Sequence, residues 1–211
     1  MDYSQDFINL IDNNEKTNVI RNVYQKYKNN IDIHYENDEA FRYACGNGNL
    51  ELCKWLLTLD TPESFNIHIY DDWSFGLSCE TGNLELCKWL YSLDTPDTFN
   101  IHYYNNYVFR DACRSGKLEL CKWLYSLDTL ESFNIHYYNN YALRLCKDIF
   151  VKFWILSLDK PENFYNDSDE FKKYYPLYLK YISNKNETLT NLKNNRVFNR
   201  FTLMSIQKYL M

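Results

Sequence analysis

The chain has 211 residues, 45% hydrophobic and 24% charged, proportions that belong to a folded protein rather than a disordered one. A net charge of -5 argues against a general nucleic-acid binder, which needs clustered Lys and Arg to displace counterions from phosphates. With 20 Tyr but only 5 Gly and 4 Pro, the composition has much to bury or display and few breakers, which favours helices.

The opening stretch "MDYSQDFINLIDNN" is acidic and polar, without the basic region and apolar run of a secretory signal. No window approaches the roughly 18 apolar residues of a membrane span, since even "FVKFWILSL" carries Lys152. A soluble, cytoplasmic chain with no membrane partner is expected. Residues 5–28 hold two short helical patterns, around Phe7, Ile8 and Ile11 and then Val19, Ile20, Val23 and Tyr27. We read residues 1–29 as a helical cap, a degenerate repeat that covers the core on one side only.

A repeat follows. "GNLELCKWL" at 48–56 returns unchanged at 82–90, then as "GKLELCKWL" at 116–124 and, degraded, as "DIFVKFWIL" at 148–156. Trp55, Trp89 and Trp123 keep a step of 34 residues, as do His34, His68, His102 and His136 and the glycines Gly48, Gly82 and Gly116. That period lies among the helical repeats. In each unit a short helix such as "DEAFRYACGNG" closes on a glycine able to turn left-handed. In the second helix Leu50, Leu52, Cys53, Trp55, Leu56, Leu57 and Leu59 share one arc, opposite Glu51, Lys54 and Thr58, so one face is buried and one is wet. The linker "TPESFNIHIYDD" then passes through an extended Asn-Ile-His and a polar turn. The fourth unit lacks about three residues between Lys147 and Asp148, where its glycine turn would be, so its turn must differ.

Helix, glycine turn, helix and projecting turn resemble the ankyrin repeat. In "FRYACGNGNLELCKWLL", Phe41 takes the place of the family's Leu, Ala44 and Cys45 that of its paired alanines, Gly48 the turn, Cys53 the Val, and Leu56 and Leu57 the final pair. Departures are equally clear: the Thr-Pro start is missing, Arg42 and Arg110 stand where the family has His, and a longer "LDTPESF" replaces the Gly-Ala after the second helix. "NIHYYNNYALR" at 134–144 is similar to the ankyrin subtype abundant in giant viruses of amoebae. The resemblance implies an all-α ankyrin-repeat solenoid with units 30–65, 66–99, 100–133 and 134–164, between helical caps. Residues 165–211 are read as a C-terminal cap or docking segment, with helices at 168–184 and 188–210 and Pro176 interrupting the first. This tail carries eight Lys or Arg against four Asp or Glu, a solvated basic surface rather than an RNA site.

Seven Cys and four His raise the question of a metal. No Cys pair has the spacing of a zinc knuckle, and stacked units about 8–10 Å apart would hold the His residues too far from a common zinc. The histidines are expected to bond neighbouring backbone from the turns, and the cysteines to fill small core positions as free thiols. No phosphate loop, dinucleotide fingerprint, nucleophile elbow or metalloprotease motif occurs in the sequence. We therefore expect no enzyme activity, no metal and no cofactor.

What remains is surface. The turn positions are Tyr35 and Glu36, then Ile69, Tyr70, Asp72 and Trp73, then Tyr103, Tyr104 and Tyr107, then Tyr137, Tyr138 and Tyr141. Tyr and Trp give large, stiff, amphipathic contact area. In ankyrin stacks the turns and first helices line a concave face where partners bind, so the resemblance implies a monomeric scaffold that holds a protein partner there, a viral protein acting in host cytoplasm. The alternatives are an adaptor whose residues 165–211 recruit a second protein such as a ubiquitin ligase, and a structural virion component.

Overall fold

The computed structural model describes residues 1–59, 65–93, 101, 103–127, 135–159, 164 and 169–194. Among these, every regular element is a helix: α1 (Ser4–Asp12), α2 (Thr17–Tyr27), a 3-10 turn (Lys28–Asn30), α3 (Tyr35–Gly46), α4 (Leu50–Leu56), α5 (Ile69–Thr81), α6 (Leu84–Tyr91), α7 (Tyr103–Ser115), α8 (Leu118–Ser126), α9 (Tyr137–Leu145), α10 (Ile149–Leu156) and α11 (Asp169–Asn194). The first helices form one layer, with α1 on α3, α3 on α5, α5 on α7 and α7 on α9. Each of α4, α6, α8 and α10 packs on the first helix of its own unit, and α11 closes against α10.

The arc foreseen for the second helices is the one that is buried. In α4, Leu52, Cys53 and Leu56 are inaccessible and Leu50, Trp55, Leu57 and Leu59 half-buried, while Glu51, Lys54 and Thr58 are exposed. The outer layer is tied by aromatic edges: Tyr24 meets Trp55, Tyr91 meets Trp123 and Tyr125 meets Trp154, at centroid separations of 5.5, 5.8 and 5.6 Å.

Turn chemistry explains where each helix starts and stops. Gly48, Gly82 and Gly116 adopt φ of 68, 76 and 73°, the left-handed conformation in which glycine has no Cβ to clash. Asn49 and Asn83 then cap the second helices, accepting from the Leu52 and Leu86 amides at 3.0 and 3.1 Å. Asn83 also donates to the Gly48 carbonyl at 2.9 Å, tying one unit to the one before. In the third unit Lys117 stands in this place and provides no side-chain cap. The fourth unit has no glycine: α9 stops at Leu145, Cys146 turns extended, and Asp148 caps α10 by accepting from Phe150 and Val151.

The polar turns after His34 and His68 are left-handed. Glu36, Asn37 and Asp38 have φ of 50, 58 and 61°, and Tyr70, Asp71 and Asp72 have 52, 56 and 63°. Asn and Asp tolerate this region because their short side chains bond locally. Pro176 does not interrupt its helix, for α11 runs through it and through 184–188 to Asn194. Pro176 is exposed, where water can solvate the carbonyl left by its missing N–H, and "SNKN" that follows holds neither Gly nor Pro to stop the helix. Residues 195–211 lie outside the described part, and with them most of the span 188–210 expected to form a second closing helix.

Candidate functional site

A side-chain latch holds the turns that follow His34, His68 and His136. The His34 ring nitrogen Nδ1 lies 2.6 Å from Asp38 Oδ1, and the other Asp38 oxygen accepts the Asn66 amide of the next unit at 2.7 Å. Asp32, just upstream, accepts the His34 amide, and its own amide donates to Ser4 Oγ in the cap. Position by position, Ser4 does for the first junction what Asp38 does for the second. His68 with Asp72 and His136 with Asn140 repeat the contact at 2.5 and 2.9 Å. His34, His68 and His136 thus each bond a side chain four residues ahead, and His136 Nε2 also lies 3.0 Å from Asp159 Oδ2. In the first latch one carboxylate reaches both the ring and the next unit, while in the last the acceptor facing the ring is the Asn140 amide oxygen.

On this frame the junctions between first helices differ. At the first, the Arg42 guanidinium of α3 lies 5.1 Å from the Tyr70 ring centroid and 5.6 Å from that of Trp73, while its Nη2 donates to the Glu36 carbonyl at 2.9 Å. The two rings meet edge-on, 5.8 Å apart at 73°, and Asn37 donates to the Tyr70 hydroxyl at 2.9 Å. Such cation–π contacts contribute about 0.5–1 kcal/mol each at an exposed site. Glu39, Arg42, Tyr43, Tyr70, Trp73 and Leu77 enclose a cleft of about 220 Å³. Burial and the Glu39 carboxylate push the Tyr43 hydroxyl above its ordinary pKa, so it stays a protonated donor.

At the next junction the arginine position holds Gly76, and Tyr107, in the register of Trp73, folds into the space. A Cβ on Gly76 would land on the Tyr107 hydroxyl and ring. Burial raises the Tyr107 hydroxyl pKa further. At the third junction the arginine returns: Arg110 lies 5.6 Å from Tyr137 and 5.4 Å from Tyr141, both half-buried.

The structure therefore divides the aromatic strip foreseen from sequence. Tyr70 and Trp73 are 53% and 45% exposed, and Glu36 is exposed beside them. Tyr35, Ile69, Tyr107, Tyr137 and Tyr141 are half-buried between units. Asp72 is corrected: at 5% exposure it holds the His68 latch and offers nothing to solvent. The side chains of Tyr103, Tyr104 and Tyr138 lie outside the described part. Arg42 and Glu39, which line the cleft, were missed as site residues; the signal for Arg42 was an arginine recurring at 42, 110 and 144, and absent at 76.

Elsewhere the chemistry is quiet. Cys45, Cys79 and Cys113 are fully buried, and burial followed by the neighbouring thiol pushes each well above the ordinary thiol pKa, the opposite of a nucleophile's need. Cys45 and Cys53 Sγ atoms lie 3.7 Å apart and those of Cys79 and Cys87 3.5 Å apart, as free thiols in contact. Among the described residues no three His, Cys, Asp or Glu side chains gather as metal ligands, and no helix is long and apolar enough to cross a membrane. Comparison with known protein families, with curated proteins and with solved structures finds no match.

Proposed function

We propose that the chain is an ankyrin-type, non-catalytic scaffold that holds a protein partner at the cleft between its first two repeat units, with Trp73 and Tyr70 as anchors. The observation that carries this reading is their exposure, 53% for Tyr70 and 45% for Trp73, in a chain whose other turn aromatics are half-buried or outside the described residues. Two large rings held rigid by Arg42 and Asn37 have little rotamer freedom left to lose, which favours their use in binding. The division of each unit supports it too: Glu51 with Lys54, Glu85 with Lys88 and Glu119 with Lys122 recur as one charged surface, whereas the turns vary as recognition of an irregular partner requires.

The test is affinity capture from cell extract, with each retained protein re-expressed and titrated against variants. Trp73→Ala and Tyr70→Ala should each lose roughly 1–3 kcal/mol of affinity, about 5- to 150-fold, with little change in melting. Lys88→Glu and Lys122→Glu should bind as the parent does. Loss of binding in the lysine variants, with retention in the aromatic ones, would place the functional surface on the second helices and refute the assignment.

A further inference from the structure

The fourth unit breaks the repeat at one core position. Where α4, α6 and α8 bury Cys53, Cys87 and Cys121, α10 buries Lys152, which is 4% exposed. The first helix of this unit, α9, has 9 residues against 13 in α5 and α7. Lys152 Nζ donates to the Leu143 carbonyl, in the last turn of α9, at 2.6 Å, and lies 4.5 Å from the Tyr174 ring centroid of α11. An ammonium has three donors, of which the carbonyl takes one. A buried cation ordinarily has an anionic partner, and among the described residues no carboxylate forms an ion pair with Lys152.

Lys152 also lines a cavity of about 470 Å³ where the end of α9, α10 and the start of α11 meet. Arg144, Lys147 and Lys173 share the lining, and Asp169 and Glu170 are its acidic members. Four cations face two carboxylates, and none of these six forms an ion pair among the described residues. The surplus of two positive charges matches the dianionic form of a phosphate group. The other three units bury a cysteine in place of this ammonium, although two of them keep an arginine, Arg42 or Arg110, in the register of Arg144.

We propose that this cavity binds a phosphate group, with Lys152 as its buried anchor and Arg144, Lys147 and Lys173 as the outer clamp. The phosphate would complete the ammonium's bonding and neutralise a charge that no described carboxylate pairs. The site stands apart from the Trp73 cleft, at the other end of the series of units, and depends on no property of it.

Calorimetric titration of the full chain tests this, with inorganic phosphate, pyrophosphate, a phosphoserine pentapeptide and acetate, at one ionic strength set by chloride. The phosphate-bearing probes should bind saturably at one site and acetate should not. Lys152→Cys restores the residue of the other three units, so it should melt at or above the parent temperature while binding at least tenfold more weakly. Trp73→Ala should leave the titration unchanged. Lys173→Gln, an exposed change, should lose at least threefold and carries the test if Lys152→Cys fails to fold. Tighter binding of the pentapeptide assigns the phosphate to a phosphorylated protein, and tighter binding of pyrophosphate to a small molecule; both support the site. No saturable heat from any phosphate probe, or undiminished binding by the variants, overturns it.

Discussion

Gly76 and Gly46 are both helical glycines, yet Ala should act on them in opposite directions. At Gly76 a Cβ would land on the Tyr107 hydroxyl and ring, so Ala there forces the ring out. A tyrosine buries about 150–250 Å². Expelling roughly half of that exposes about 100 Å², worth about 2.5 kcal/mol at ~25 cal/mol per Å². The helix itself gains about 1 kcal/mol when Gly becomes Ala. The net expectation is a loss of about 1–2 kcal/mol. The atoms nearest an ideal Cβ on Gly46 belong to the Leu77 side chain, at 3.7–3.9 Å, ordinary contacts, so Gly46→Ala should gain about 0.5–1 kcal/mol. Thermal melts followed by circular dichroism resolve the difference, since 1 kcal/mol moves the midpoint by about 2–4 °C in a chain of this size. Adding Tyr107→Ala should convert Gly76→Ala from harmful to neutral or helpful, a coupling that a double-mutant cycle reads directly. Should Gly76→Ala melt as high as the parent, Tyr107 is not seated on Gly76 and the account of that junction is wrong.

Lys117→Asn should supply the missing cap of α8 and a donor toward the Gly82 carbonyl, raising stability by about 1–2 kcal/mol in the same melts. Asp111 gives a pH prediction. Burial, against the opposing Arg114 guanidinium 3.3 Å away, raises its carboxyl to about 6, above the roughly 3.9 of an unfolded chain. The folded state thus holds the extra proton, and its stability falls as pH rises from about 4 to about 6, by an amount on the order of 1 kcal/mol after solvent screening. Asp111→Asn should therefore gain more, relative to the parent, at pH 7 than at pH 4. Cys146, raised to about 11 mainly by burial, and the fully buried thiols should react with an aromatic disulfide reagent only as fast as the chain opens, so adding urea should accelerate the reaction sharply.

The helix pairs, their buried arcs and the three glycine turns could be read from sequence because they depend on one unit at a time. Leu52, Cys53 and Leu56 are apolar at helical spacing, and Gly48 follows a helix that must end. What escaped depends on two units or on a side chain's partner. Trp73, Tyr107 and Tyr141 occupy one register, yet Trp73 is exposed and Tyr107 is tucked in, because the residue facing them from the preceding unit is Arg42 in one case and Gly76 in the other. Asp72 looked like a surface turn residue by type, and only its bond to His68 accounts for its burial. Pro176 was read as a breaker because the local cost of a proline is legible in sequence, whereas the packing of α11 on α10 that offsets it is not.

The left-handed turns also bear on how the chain folds. A left-handed residue other than glycine is disfavoured by about 1–2 kcal/mol, less for Asn and Asp, and Glu36, Asn37 and Asp38 take that conformation in succession. The contact that offsets this lies partly in the following unit, at the Asn66 amide. An isolated unit would bear the strain and lack that bond. Adjacent units consequently make poor intermediates singly and good ones together, and cooperativity passes along the series through its turns as well as through its apolar core.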